Sequence, residues 1–293
     1  MPKDMLNQYG CLDVLNYYSK VFPLLKGYLK KKELATKIWL PKSQTLPFFI
    51  KRGSKNKPLY IDDINIDSKF LELRSQYSLK DARNKLTTKE ALLWDYFVPR
   101  KVVEFFYATN GENVDKPISR IFFDIDKGKQ SIEDARQVTL SFINEIRNDQ
   151  EFSKLVKYDL FLMWTGASFH VYLILKKSQP HSFYTKYLSY TESDPFASFT
   201  GRWALNISKK YKIKVKGGHE RLNKGIIIDP SQTPSGKLCR APFSLHTKKG
   251  IIDGVSIPIT ESELKDPTIV KRLQGYTYED VLKNINELTN KLL

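Results

Sequence analysis

Cysteine is almost absent from this chain of 293 residues, with Cys11 and Cys239 the only two. So few exclude a disulfide framework and a cysteine-rich zinc site, and point to an intracellular protein. Long apolar runs are missing as well. No stretch of about 20 apolar residues could form a membrane span, and no uninterrupted apolar segment of signal-peptide type opens the chain, so a soluble protein without a membrane partner is expected. There is no internal repeat, low-complexity tract or pronounced linker. Acids are in deficit: 32 Asp and Glu stand against 48 Lys and Arg, a formal charge of +16. That balance suits a polyanion such as nucleic acid, although a basic, lysine-rich proteome would also produce it.

What is present reads as a globular chain, 41% hydrophobic and 13% aromatic, long enough for one large domain or two modules meeting near residue 100. Leu12, Leu15, Tyr18, Val21, Phe22, Leu25 and Leu29 recur at helical spacing, and Pro23 predicts a kink or a break between two helices. Lys30-Lys31-Lys32 follows, a solvated helix end or a phosphate contact. After a strand over 36–40 comes Leu46-Pro47-Phe48-Phe49-Ile50-Lys51-Arg52-Gly53, where Phe49 could stack on a base while Lys51 and Arg52 meet phosphate. Core packing of the two phenylalanines is the alternative.

Further on, the pattern predicts a helix over 89–97, a strand over 102–109 and a strand through Ile121. Ser131 and Asp134 then cap a helix carrying Val138, Phe142 and Ile146. Two strands over 158–164 and 169–175 flank the turn Thr165-Gly166-Ala167-Ser168. A helix through Phe196, Phe199, Trp203 and Ile207 leads into a basic, alternating stretch over 209–218, read as an exposed strand or arm. A buried strand over 225–229, a loop over 230–236 and a helix over 278–292 complete the reading.

Within Phe122-Phe123-Asp124-Ile125-Asp126-Lys127-Gly128, strand alternation sends Asp124 and Asp126 to one face. Carboxylates so close repel unless a hard divalent cation such as Mg²⁺ or Mn²⁺ lies between them. An isolated Asp-x-Asp is more often a polar strand end, and His170 alone a hydrogen-bonded strand histidine. Asp229 alone reads as a turn residue before Pro230. Taken together, however, Asp124, Asp126, Ser168, His170 and Asp229 match what two-metal nucleotidyl transfer requires.

At these residues the sequence resembles the archaeo-eukaryotic primase superfamily, which includes primase catalytic subunits, primase-polymerases and the polymerase domain of bacterial end-joining ligases. Its Asp-x-Asp motif falls on Asp124 and Asp126, its Ser-x-His motif on Ser168-Phe169-His170, and its third acid on Asp229. Arg240-Ala241-Pro242-Phe243-Ser244-Leu245-His246 resembles its Arg-x-Pro-x-Ser-Leu-His signature. Tyr17-Tyr18 through Pro23, and Phe48 to Lys51, are similar to the opening of the end-joining polymerases.

The resemblance implies an α/β (α+β) fold in one catalytic domain over 1–293, with a module like an RNA-recognition motif over 101–293 packed on an N-terminal α/β unit over 1–100. It implies a template-dependent nucleotidyltransferase, a DNA primase or polymerase, adding nucleoside triphosphates to a 3′-hydroxyl in replication priming or in end-joining and gap-filling repair. Two Mg²⁺ or Mn²⁺ ions would sit on Asp124, Asp126 and Asp229, without structural zinc. Ser168, His170, Arg240, Ser244 and His246 would bind the nucleotide, and Phe49, Lys51 and Arg52 the nucleic acid. DNA template and primer, triphosphates and a ligase or primase accessory subunit are the implied partners, and a nucleoid-associated location follows. The rivals are a catalytically silent single-strand binding protein and a metal-dependent nuclease.

Overall fold

The computed structural model describes residues 13–40, 43, 45–76, 78–219 and 225–292; Cys11, and Leu12 at the start of the expected first helix, lie outside them. The first part of the chain forms α1 (Val14–Leu25), β1 (Leu34–Trp39), β2 (Phe48–Arg52), α2 (Ser68–Gln76), α3 (Leu79–Asn84), α4 (Thr88–Tyr96) and β3 (Val103–Ala108). Next come β4 (Ile118–Asp126), α5 (Ile132–Asn148), α6 (Gln150–Leu155), β5 (Tyr158–Trp164), β6 (Phe169–Gln179), α7 (Phe199–Lys210), β7 (Val215–Gly217) and β8 (Ile226–Asp229). The last part holds β9 (Leu238–Arg240), β10 (Leu245–Lys248), β11 (Ile251–Val255), β12 (Ile257–Ile259), α8 (Glu261–Lys265), α9 (Ile269–Gln274), α10 (Tyr278–Lys283) and α11 (Ile285–Thr289). None of the described helices is long and apolar enough to cross a membrane.

A six-stranded sheet in the order β12-β5-β6-β4-β8-β7 organises the molecule. Its pairs are antiparallel except β7 with β8. The succession β4-α5-β5-β6-α7-β8 is the split βαβ arrangement, which sets β4 between β6 and β8. Alternation then gives the sheet two different faces. Phe123 points to the helical side, where its ring meets Phe142 of α5 at 4.8 Å and Trp203 of α7 at 6.2 Å. The expected capping box at Ser131 and Asp134 opens α5.

A second, four-stranded sheet in the order β2-β1-β3-β9 lies across from the other face. Arg120 on β4 reaches the Tyr107 hydroxyl of β3 at 3.1 Å, and the Tyr172 hydroxyl of β6 donates to the Arg240 carbonyl of β9 at 3.2 Å. Because β1 and β2 pair onward to β3 and β9, this sheet takes strands from both sides of residue 100. Helix α1 braces it: the Tyr18 hydroxyl donates to the Val103 carbonyl at 2.8 Å and accepts from the Leu245 amide at 3.1 Å.

Two expectations need correction. Pro23 neither breaks α1 nor starts a second helix; it sits inside the last turn, and turns follow from Lys26. The expected C-terminal helix is split at Asn284, whose side-chain amide donates to the Tyr276 hydroxyl at 3.0 Å and the Asp280 carbonyl at 2.9 Å. Such local side-chain bonds compete with the helical ladder.

Candidate active site

The face of the six-stranded sheet turned to the second sheet carries the acids. Asp124 is the antiparallel partner of His170 on one side and of Asp229 on the other, while Asp126 lies opposite Ile227. Antiparallel partners share a face, about 4.5–5.5 Å apart at their Cα atoms. Asp124, Asp126 and Asp229 therefore form one row, with His170 beside it. Asp126 also caps the turn that follows, its Oδ1 accepting from the Gly128 amide at 2.9 Å.

The row is under electrostatic stress. Burial, then repulsion by Asp126 and Asp229, pushes the Asp124 carboxyl up to about 7, with Arg240 opposing the shift. Its side chain still opens to solvent, 41% exposed. Asp229 is raised too, by burial first and by Asp126 last, against hydrogen bonds from Ser231. Burial, followed by the positive field of Arg240 and of His246, holds His170 well below the usual imidazole range, so its ring is neutral. The Tyr172 hydroxyl gives its hydrogen to the Arg240 carbonyl and so accepts from His170 Nδ1 at 3.2 Å, which leaves Nε2 facing Asp124 Oδ1 at 3.5 Å.

Two clefts meet at the row. One, of about 940 Å³, is lined by Asp126, Lys127, Lys129, Ser168, His246 and Lys248 among others. The other, of about 520 Å³, is lined by Lys37, Phe122, Asp124, His170, Lys237 and Arg240 among others. Neighbouring acids on one strand thus serve different clefts, and the expected nucleotide ligands are divided between them. Ser168 donates its hydroxyl to the Ile125 carbonyl. Arg240 stands over Phe106 and bonds Glu104 at 3.2 Å and the Leu245 carbonyl at 2.8 Å. His246 pairs through Nδ1 with Asp253 at 2.6 Å.

Of the other expected ligands, Ser244, Phe49 and Lys51 lie away from both clefts. Ser244 is fully buried, its hydroxyl accepting from the Phe105 amide at 2.8 Å and donating to the Leu245 carbonyl at 3.0 Å. On β2 the register places Ile50 across from Lys37, and Phe49 and Lys51 across from Ile38 and Thr36, which belong to the interior. Phe49 accordingly packs on the core, and Lys51 pairs with Asp95 of α4 at 3.9 Å. Packing wins over stacking at Phe49, and the cleft side of this strand shows Ile50 instead. Arg52 does line the smaller cleft, but its guanidinium is bound to Glu112 at 3.0 Å and to the Gly236 carbonyl at 2.8 Å.

Sequence reading missed Glu104. This side chain, 1% exposed, accepts through Oε1 from Arg240 and from the Thr247 amide at 3.0 Å, and its Oε2 forms an ion pair with Lys37 at 3.3 Å. Arg240 and Lys37 hold it below the usual carboxylate range against the cost of burial. Its signal was there to read: a single acid inside the apolar run Val102-Val103-Glu104-Phe105-Phe106 demands a buried cation. Tyr172, Lys37 and Asp253 were also overlooked.

A family model described as "LigD, primase-polymerase domain" matches residues 12–292. The chain belongs to this family. Among solved structures it resembles the polymerase domain of ligase D from Mycobacterium tuberculosis, solved in complex with DNA, at 16% identity and a TM-score of 0.58. The likeness covers 100% of this chain and 98% of that one, and shows that the LigD polymerase fold is shared. No curated protein matches by sequence. The expected α/β fold is borne out, and of the branches named from sequence, the family match is to the end-joining one.

The family's divalent ion can be tested against the residues present. Among the described residues no three His, Cys, Asp or Glu side chains already close round an ion. The donor set nevertheless fits: Asp124, Asp126 and Asp229 offer only carboxylate oxygens, and the raised Asp124 and Asp229 show negative charge in want of a counter-charge.

Proposed function

We propose that this protein is a template-dependent nucleotidyltransferase that adds nucleoside triphosphates to the 3′-hydroxyl of DNA, in end-joining and gap-filling repair. The observation that carries the reading is the row of Asp124, Asp126 and Asp229, flanked by His170 and set between two basic clefts. These acids would hold Mg²⁺ or Mn²⁺, which when bound lowers the pKa of the attacking hydroxyl and steadies the leaving pyrophosphate.

The remaining work falls to the chain's own side chains. Arg240 offers positive charge beside Asp124, and the Glu104 carboxylate with the Leu245 carbonyl keeps its guanidinium from swinging away. Ser244, 3.4 Å from that guanidinium, supports it from below. His170, being neutral, serves as a hydrogen-bonding group and not as a cation. Lys127, Lys129 and Lys248 line the larger cleft and give phosphates their counter-charge. A filled gap still ends in a nick, so a ligase is the partner class that this activity calls for.

Incorporation of dNTP and rNTP on a primed template and on a gapped duplex with a 5′-phosphate, in Mg²⁺ and in Mn²⁺, tests the proposal. The expected result is extension by the wild-type chain and none by Asp124→Ala or Asp126→Ala, both still binding DNA. Shortened products would favour a nuclease, and binding without extension a silent DNA-binding protein.

A further inference from the structure

The hairpin of β10 and β11 has one irregularity. His246 pairs with Gly254 and Thr247 with Ile252, which leaves Asp253 as an extra, unpaired residue. In an unbroken ladder Asp253, next to Gly254, would point to the face opposite His246. A bulge re-aims the side chain it carries. Here it brings the Asp253 carboxylate to His246 Nδ1 at 2.6 Å.

The imidazole is held from the other side as well. Gly166 has φ +98°, and a Cβ on it would lie 2.5 Å from His246 Cβ; a Cβ on Gly254 would meet Gly166 Cα at 3.1 Å. Glycine at both positions lets the hairpin close onto the turn that leads to Ser168. A carboxylate oxygen accepts, so His246 Nδ1 carries the hydrogen. No hydrogen-bond partner for Nε2 occurs among the described residues. His246, Asp253, Asp126, Ser168 and Lys248 all line the cleft of about 940 Å³.

We propose that Asp253 is a positioning residue: through the bulge it fixes a hydrogen on His246 Nδ1 and turns Nε2 into the larger cleft, where the ring, taking a second proton from solvent as the phosphate chain of a nucleoside triphosphate binds, donates to it from Nε2–H. The phosphate part rests on the functional reading above. A free carboxylate in a cleft lined by Lys127, Lys129 and Lys248 would repel a polyanion; engaged with His246, it instead orients a donor toward it.

Heteronuclear NMR of the full chain labelled with ¹⁵N-histidine reads the tautomer without reference to activity. The wild-type His246 signal is expected in the Nδ1–H pattern, moving toward the Nε2–H pattern in Asp253→Ala; an unchanged pattern overturns the proposal. Titration of the same sample with inorganic tripolyphosphate should shift the His246 Nε2 signal, and no shift at saturation overturns the phosphate part. In extension assays Asp253→Ala should raise nucleotide KM roughly tenfold with kcat within about twofold, as for one lost charge-assisted contact. Asp253→Asn, which retains an acceptor, should lose less. Added to His246→Ala, Asp253→Ala should cost nothing further. An equal cost in that background would mark Asp253 as merely structural. A wild-type chain that extends no primer would defeat the functional reading alone, and the NMR measurements would still decide the positioning.

Discussion

Two acids of the same site carry opposite signs in the stability of the protein. Asp124 is raised from its ordinary 3.8 to about 7. The folded state thus holds a proton there that the unfolded chain has released, and its stability contribution is present below about 3.8 and lost as pH rises toward and through 7. Metal-free protein should melt at a lower temperature at pH 8 than at pH 5, and Asp124→Asn should flatten that difference. An identical pH profile in the variant would show that Asp124 bears no such stress. Glu104 works the other way, since its depressed value gives stability that is present above the ordinary carboxylate range and lost as pH falls. Glu104→Gln strips the counter-charge from Arg240 and Lys37, and breaking so buried a pair costs about 3–5 kcal/mol. Urea unfolding at pH 7 measures it, and a loss below about 1 kcal/mol, ordinary for a surface pair, would contradict the arrangement. The acids that share a strand pattern were legible in the sequence because alternation alone places them on one face. Asp253 and Tyr172 were not, because each acts on a partner distant in sequence or through a bulge that no local pattern announces, and for Glu104 the apolar run announced a buried cation without saying which one.

At the level of elements, legibility followed the strength of the period. Strands β4, β5, β6 and β8 and the helices α4, α5 and α7 stand close to where their apolar spacing and caps predicted them, whereas β12 at the edge of the same sheet was passed over. Helices α2 and α3 were passed over, lying in a polar region where the first has a weak amphipathic pattern, and the β10–β11 hairpin was hidden in a stretch mixing apolar and basic residues. The stretch over 209–218 shrinks to the three-residue β7, because α7 runs on through Lys210 and the chain bends over 211–213, where Tyr211 and Ile213 pack against the core. Phe49 and Lys51 illustrate the same limit: their spacing was visible, but which side of β2 meets the cleft depends on pairing with β1. Two glycines test how tightly the elements around the site are set. Gly166→Ala should destabilise the protein by more than about 1 kcal/mol, because φ is +98° and the new methyl would lie 2.5 Å from His246 Cβ. Its nucleotide KM should rise as well. Gly27, with nothing within 4 Å of an added Cβ, should accept alanine with a change within about 1 kcal/mol. Equal effects of the two substitutions in thermal melts would mean that the hairpin is not seated on the Gly166 turn.

For the molecule as a whole, the +16 charge matters less than which cations are free to meet phosphate. Lys176 and Lys210 pair with Asp159 and Glu145, Lys51 with Asp95, and Arg52 with Glu112. Lys129 and Lys248 on one cleft and Lys237 on the other form no ion pair with an acid among the described residues. Each such lysine that meets a single strand releases a condensed counterion, so log K should fall with log salt by about 0.7 per contact. Binding of a single-stranded oligonucleotide should therefore weaken steeply with salt, and Lys248→Ala or Lys237→Ala should each make the slope shallower by about 0.7. Arg52→Ala should leave the slope unchanged and instead lower stability, since its loss strands the buried Glu112 carboxylate. Fluorescence anisotropy across a salt series, paired with melts, separates the two kinds of cation. A slope that falls for Arg52→Ala but not for Lys237→Ala or Lys248→Ala would place the nucleic acid along β2, at that edge of the smaller cleft and away from these lysines, and with it the strand end that the acids are set to extend.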